Sequence, residues 1–191
     1  MCVYGGSKLY TPSSTNDNTQ SHTQSHTQSH TNAKFTDIPS SLTPRFIIIN
    51  SKIKRSTRDI VTAVGNKQGV LEEVFTEIGE IVYKGVERLR EGEDIGGLLE
   101  RSHVLLNKLP LVKNECIDRI VSECKRYGVP AKVTGAGGGG CVVGLVRDGV
   151  NVEGLTLALT KLGFTVSGDA KIGVGGVEVV SKIEVTIQGY D

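Results

Sequence analysis

The segment 132–141 reads KVTGAGGGGC and holds five glycines within the six positions 135–140. Glycine has no side chain to bury, and it loses more conformational freedom on folding than any other residue. A chain tolerates such a run where bare backbone must come close to a phosphate or to a second segment of backbone. Successive N–H groups in such a loop can bind an anion. A glycine turn that only packs, without a ligand, is the alternative interpretation.

Two common phosphate loops do not fit this segment, although residues 135–140 satisfy the spacing G-x-G-x-x-G. A dinucleotide-binding loop leads from a strand into a helix, whereas the following residues, CVVGLV at 141–146, predict a strand. A P-loop ends in Gly-Lys-Ser or Gly-Lys-Thr, whereas this loop ends in Gly-Gly-Cys. The loop therefore binds a phosphate in another structural context, or it only packs.

Charge, hydropathy and cysteine spacing argue against a nucleic-acid-binding, membrane-spanning or secreted protein. The chain has 191 residues with 22 basic and 21 acidic side chains, a net charge of +1 that argues against a nucleic-acid partner. No apolar run approaches the roughly 18 residues of a membrane span, and the first residues lack the pattern of a signal peptide. The four cysteines have no metal-type spacing, which favours small buried hydrophobes in a reducing compartment. We therefore expect a cytoplasmic protein without a membrane partner.

A polar insert occupies residues 11–34, and Ser-His-Thr-Gln recurs within it from Ser21 to His30. Such a segment cannot bury enough apolar surface to order itself, so we expect a disordered loop. Adventitious metal binding by its evenly spaced histidines is the alternative.

The remaining chain predicts an α+β domain. We expect strands at 46–50, 131–134, 141–146, 164–167 and 177–187. Ser56 or Thr57 is expected to cap a first helix. Further helices are expected over 70–89, over 95–109 with an end at Pro110, over 114–127 and over 152–162. Helices packed on one face of a mainly antiparallel sheet follow from this order of elements.

Four stretches of the sequence resemble the GHMP kinases, and most closely the mevalonate kinase family. The KVTGAGGGGC segment followed by a strand resembles the third motif of that superfamily. INSKIKRST at 49–57 resembles a strand-to-helix segment of mevalonate kinases, with Lys54 where proline is usual. YGG at 4–6 resembles the strand after the catalytic aspartate of the family, and NKL at 107–109 also fits.

The resemblance implies a fold and a domain division. Residues 51–191 are expected to form the ferredoxin-like C-terminal domain of a GHMP kinase. Residues 1–50 are expected to hold remnant strands of the N-terminal lobe around the polar insert.

The resemblance also implies an activity, the ATP-dependent phosphorylation of mevalonate to 5-phosphomevalonate in isoprenoid and sterol precursor synthesis, with Mg²⁺. The phosphate-wrapping loop, the magnesium ligands and the aspartate base of the family have no counterpart in this sequence, so we assign no catalytic residue and no metal ligand. We expect part of a kinase with little or no activity alone. Its expected partners are mevalonate and either a second copy or a separate N-terminal lobe.

Candidate site residues follow from the same resemblance. It places Lys52, Arg55 and Thr57 beside the substrate, where Arg55 can bind a carboxylate with two parallel hydrogen bonds. It places the loop residues Thr134, Gly135, Ala136, Gly137, Gly138, Gly139 and Gly140 beside the ATP phosphates. A solvated basic turn is the alternative for the first group.

Three further side chains have open interpretations. Thr134 can bind a phosphate or the loop backbone, and Lys132 can neutralise a phosphate or lie in solvent. His103 is expected to be a partly buried, hydrogen-bonded residue without a catalytic role.

Two other functions remain open for the chain: another GHMP kinase acting on a sugar or on phosphomevalonate, and a non-catalytic binding module with the same fold.

Overall fold

The computed structural model describes residues 8–11, 34–38 and 44–171, which fall into two compact units divided after Asp37. In the first unit, β1 (Lys8–Thr11) pairs antiparallel with β2 (Lys34–Asp37). The rings of Tyr10 and Phe35 lie 5.3 Å apart across this pair. The two outermost residues of the predicted polar insert thus belong to strands, and residues 12–33 lie outside the described residues.

The second unit contains a four-stranded antiparallel sheet. Its strands, given in chain order, are β3 (Arg45–Asn50), β4 (Ala131–Val133), β5 (Cys141–Val146) and β6 (Thr165–Lys171). In space their order is β4-β5-β3-β6, with every neighbouring pair antiparallel. A helical segment follows β3 and another precedes β6, so the order is that of a ferredoxin-like fold. The predicted α+β class is confirmed, whereas the strand predicted at 177–187 lies outside the described residues.

The position of β3 bears on the domain division. The predicted boundary after residue 50 would separate β3 from its two partners, yet β3 pairs with β5 along one edge and with β6 along the other. The compact units divide instead between residues 37 and 38. The alternation within β3 also differs from a fully buried strand, because Ile47 and Ile49 are buried while Ile48 is exposed.

Five α-helices lie in the second unit, and local signals account for several of their ends. They are α1 (Thr57–Gly65), α2 (Glu72–Glu91), α3 (Gly96–Leu106), α4 (Glu115–Arg126) and α5 (Val152–Lys161), with a 3₁₀ turn at Gln68–Leu71 before α2. Ser56 caps α1, as predicted, and Asn114 caps α4. The helix predicted to reach Pro110 ends at Leu106 instead, because the residue before a proline disfavours helical backbone.

The main core lies between the sheet and the helices α4 and α5. Its fully buried side chains include Ile47 and Ile49 of β3, Ile117 and Ile120 of α4, and Leu155 and Leu159 of α5. Each aliphatic side chain of this size stabilises the fold by about 1.5–3 kcal/mol on burial. The predicted apolar face of α2 is different, since within this helix only Val86 is buried while Phe75, Val82 and Tyr83 remain exposed.

Candidate phosphate-binding loop

The glycine loop, residues 134–140, connects β4 to β5, and two other segments press against it. Gly135, Gly137, Gly138 and Gly140 have φ angles of 60°, 82°, 71° and 76°, which side-chain-bearing residues rarely adopt. A Cβ atom on Gly137 would lie 2.3 Å from Val112 Cγ1, and one on Gly139 would lie 2.8 Å from the Ile53 carbonyl oxygen. The glycines are therefore required by backbone conformation and by close packing.

The first of these segments is the β3–α1 connection, residues 51–56. The Ser51 amide and hydroxyl both donate to the Gly140 carbonyl oxygen, at 3.0 and 2.7 Å. The Gly140 amide donates in return to the Ile53 carbonyl oxygen at 3.0 Å. These bonds extend the pairing of β3 with β5 beyond the last residue of β3.

Arg55 makes the most extensive side-chain contact with the loop. Its Nη1 atom donates to the carbonyl oxygens of Gly137 at 2.7 Å, Thr134 at 3.1 Å and Gly139 at 3.3 Å. Nη1 carries two hydrogens, so at least two of the three carbonyl oxygens share one hydrogen. Two groups that the sequence predicts for the site, Arg55 and the glycine loop, are thus brought together, with Arg55 bound to loop carbonyls.

The second segment is the α3–α4 connection, residues 107–114. The Gly138 amide donates to the Val112 carbonyl oxygen at 3.0 Å, and Asn114 Nδ2 donates to the Gly138 carbonyl oxygen at 3.4 Å. Asn114 Oδ1 meanwhile accepts from the Cys116 amide at the start of α4. Sequence reasoning identified Asn114 only as the start of a helix and missed Ser51 and Val112, whose loop contacts leave no local signal.

Three loop amides have no hydrogen-bond acceptor among the described residues. The amides of Gly137, Gly138 and Gly140 donate to Thr134, Val112 and Ile53, whereas those of Gly135, Ala136 and Gly139 do not donate to any described residue. Gly135 is exposed, and its successor Ala136 is partly exposed. Successive amides without an acceptor among the described residues are a feature that anion-binding loops share.

The other predicted site residues are less closely joined to the loop. The Thr134 hydroxyl donates to the Cys141 carbonyl oxygen at 2.9 Å, so in this structure it binds loop backbone. Lys52 is exposed with a φ of 61°, and Thr57 is exposed in the first turn of α1. Neither side chain has a hydrogen bond to the loop among the described residues.

His103 lies in a buried polar cluster with Asn107 and Asp118. Its Nε2 atom is 3.2 Å from Asn107 Nδ2, which also donates to Asp118 Oδ1 at 3.0 Å. Nε2 also lies 3.6 Å from Asp118 Oδ1, so it accepts from Asn107 in the neutral ring protonated on Nδ1 and faces a carboxylate when it carries a proton itself. Burial is the main cause that lowers the pKa of His103, and it also lowers the pKa of Lys132. His103 is hydrogen-bonded, as predicted.

Within residues 8–11, 34–38 and 44–171, no group of three His, Cys, Asp or Glu side chains lies close enough to hold a metal ion. No helix in the same residues is long and apolar enough to cross a membrane.

Burial raises the pKa of the free thiol of Cys124 to about 12, in agreement with a small buried hydrophobe.

Two cavities of the second unit lie away from the glycine loop. One, of about 450 Å³, runs along the start of α2 between Gly69 and Glu80. The other, of about 350 Å³, lies beside the ion pair of Asp94 and Arg147. Neither is lined by residues 134–140. The glycine loop thus contributes a surface and its free amides to the candidate site.

Comparison with known proteins gives two findings. Residues 82–164 match the family described as GHMP kinases C terminal. The chain is also similar to mevalonate kinases. The enzyme of Methanocaldococcus jannaschii is 37% identical over 105 residues, covering 54% of this chain and 33% of the relative. That of Dictyostelium discoideum is 29% identical over 154 residues, covering 71% of this chain and 39% of the relative.

A solved structure agrees with these relatives. The crystal structure of the Methanococcus jannaschii mevalonate kinase matches with a TM-score of 0.62 and 31% identity, covering 73% of this chain and 44% of that one. The chain spans between a third and two fifths of the length of the two curated relatives, 33% and 39%.

Proposed function

We propose that this chain supplies the C-terminal part of an ATP-dependent mevalonate kinase. The observation that carries the proposal is the joining of two segments: Arg55 binds the β3–α1 connection to a glycine loop whose Gly135 and Ala136 amides have no acceptor among the described residues. The sequence identities of 37% and 29% to two mevalonate kinases support mevalonate as the alcohol that is phosphorylated. The reaction transfers the γ-phosphoryl group of ATP to the 5-hydroxyl group of mevalonate.

Phosphoryl transfer is catalysed mainly by positioning the reactants and by neutralising charge on the transferred group. In our proposal the Gly135 and Ala136 amides bind phosphate oxygens of ATP. Lys52, Arg55 and Thr57 bind mevalonate, whose carboxylate suits a guanidinium fork. Arg55 Nη1 is occupied by loop carbonyls, while Nη2 and Nε have no hydrogen-bond acceptor among the described residues and remain available.

Mg²⁺ and the catalytic base are assigned to groups outside the described residues, because the magnesium ligands and the aspartate base of the resembled family have no counterpart in this sequence. A general base alone contributes about 10²–10⁴-fold to a rate. We therefore propose that the 191-residue chain turns over little or no mevalonate by itself. Its partner is an N-terminal lobe or a second copy that contributes these groups.

The proposed cellular setting is the cytoplasm, in the synthesis of isoprenoid and sterol precursors. The free cysteines at positions 116, 124 and 141 support a reducing compartment.

A kinetic experiment tests the proposal in two steps. The chain alone is assayed for ADP release with ATP and mevalonate. Turnover near the ordinary kinase range of about 1 s⁻¹ would contradict the proposal that the chain needs groups from a partner for activity. Residues 45–171 are then exchanged into the Methanocaldococcus jannaschii enzyme in place of its matching segment. We expect this hybrid to phosphorylate mevalonate, and an inactive but folded hybrid would argue against the proposal.

Substitutions in the hybrid test the substrate contacts. Lys52→Ala and Thr57→Ala should raise KM for mevalonate more than KM for ATP. Lys67→Ala is the matched control, because Lys67 is also exposed and its side chain has no hydrogen bond or ion pair among the described residues. Equal effects of the three substitutions would remove Lys52 and Thr57 from the site.

A further inference from the structure

Arg55 donates hydrogen bonds to three carbonyl oxygens of the loop, and these bonds affect the direction of the neighbouring amides. A trans peptide unit is planar, so its C=O and N–H bonds point in opposite directions. The Thr134 carbonyl oxygen accepts from Arg55 Nη1 at 3.1 Å, which directs the N–H of the next residue, Gly135, away from the guanidinium. The Gly135 amide is one of those without an acceptor among the described residues.

The same relation holds for the other carbonyls that Arg55 binds. The Gly137 and Gly139 carbonyl oxygens point to Nη1, and the amides of Gly138 and Gly140 point away from it to Val112 and Ile53. One guanidinium therefore contacts the carbonyl side of three peptide units of the loop. Two of those units bind neighbouring segments, and the third presents a free N–H at an exposed residue.

Electrostatics explains why an anion-binding loop needs such a group. Carbonyl oxygens carry partial negative charge, and a loop without side chains has no steric reason to keep them away from a bound anion. A guanidinium placed among the carbonyls holds them by charge-assisted hydrogen bonds, which are about twice as strong as neutral ones. Its positive charge also favours an anion on the amide side of the loop.

We propose that Arg55 is a positioning residue that fixes the Thr134–Gly135 peptide unit, so that the Gly135 amide stays free for an anion. The role differs from direct binding of substrate, because it is exerted through the loop and is present without any ligand. The identity of the anion as a phosphate of ATP rests on the proposed function, whereas the ordering of the loop does not.

Hydrogen exchange in the intact 191-residue chain tests the ordering. The reporters are the hydrogen-bonded Gly138 and Gly140 amides, and the reference is the Leu145 amide, which donates to Pro130 in the core. Arg55→Ala should reduce protection of the two loop amides by about tenfold or more relative to Leu145, the effect of about 1.4 kcal/mol of local stabilisation. Arg55→Lys should restore part of it, since an ammonium keeps the charge but not the planar fork.

Arg58→Ala is the matched control. Arg58 lies three residues further on and is exposed, and its side chain makes no hydrogen bond or ion pair to another described residue. The proposal is overturned if Arg55→Ala leaves the ratio of loop to core protection unchanged, or if Arg58→Ala changes it equally. A uniform fall at all three amides in both Arg55 variants also overturns it, because that pattern reports global destabilisation.

Pyrophosphate is the probe for the free amide. Its addition should shift the Gly135 amide resonance in the wild-type chain and in Arg58→Ala, with weaker binding in Arg55→Ala. If the loop depends on Arg55 for its order but pyrophosphate does not bind, the positioning role stands and the phosphate site of the proposed function fails. The two ideas are therefore tested separately.

Discussion

The hydroxyl group of Ser51 donates to the carbonyl oxygen of Gly140 across 89 positions of sequence, at 2.7 Å. The same oxygen atom accepts from the Ser51 amide, and the Ser51 hydroxyl accepts from the Ile53 amide at 3.2 Å. Ser51 is only 4% exposed, so these bonds are shielded from water. This serine joins the end of β3 to the last residue of the glycine loop.

Ser51→Ala should lower the free energy of unfolding by about 1–3 kcal/mol, because it leaves the Ile53 amide without its partner in a buried position. Denaturant unfolding followed by circular dichroism measures the change. Ser122→Ala, on the exposed face of α4, is the control and should stay within about 0.5 kcal/mol of wild type. A Ser51 variant as stable as this control would show that the buried bonds contribute nothing.

Leu111→Gly should raise the free energy of unfolding. Leu111 has a φ of 62°, and left-handed backbone costs an L-residue about 1–2 kcal/mol, more than the added flexibility of glycine in the unfolded chain. Its side chain is 62% exposed, so little burial is lost. We expect a gain of about 0.5–1 kcal/mol in denaturant unfolding.

Leu157 provides the comparison for that substitution, because it is 57% exposed but lies within α5. Leu157→Gly should destabilise by about 1 kcal/mol, the usual cost of glycine in a helix. If both glycine variants destabilise to the same extent, the backbone at Leu111 is not strained.

Asn114 has two functions that substitutions can separate. Its Oδ1 atom caps α4, while its Nδ2 atom donates to the Gly138 carbonyl oxygen. Asn114→Asp keeps a good cap but removes the donor, so global stability should change little while exchange protection of the Gly138 amide, which donates to Val112, should fall. Asn114→Ala should lose about 1 kcal/mol of stability as well. Identical stability losses in the two variants would assign the whole effect to the loop contact.

Stability should fall in mild acid because of His103. Burial lowers its pKa below the ordinary value of 6.5, so the unfolded chain takes up a proton that the folded chain does not. The corresponding stability is present above pH 6.5 and is lost as the pH falls below it, at up to about 1.4 kcal/mol per pH unit. Nearby Lys132 favours the neutral ring and Asp118 opposes it.

Unfolding by urea at pH 7.5 and 5.5 measures this dependence. His103→Gln should be less sensitive to pH over that interval than wild type, although it is less stable at pH 7.5 if the cluster is disturbed. Equal pH dependence in the two proteins would remove His103 as its cause.

Much of the local structure could be predicted because its causes lie within a few residues. Ser56 and Asn114 mark helix starts, since a side-chain acceptor must lie two or three residues before the amide that it caps. The glycines at 135–140 indicated close backbone approach, and the structure provides it at Ile53 and Val112. The α+β class followed from the order of elements.

The tertiary structure alone decided what the loop contacts. The placement of β3 between β5 and β6 brings the β3–α1 connection to the glycine loop, and this pairing joins residues far apart in sequence. Arg55 is basic in any interpretation, but only the sheet order determines that it binds loop carbonyls. Likewise, the pattern of α2 predicted an apolar face but not that Phe75 and Val82 stay exposed, because burial depends on which elements pack against a helix.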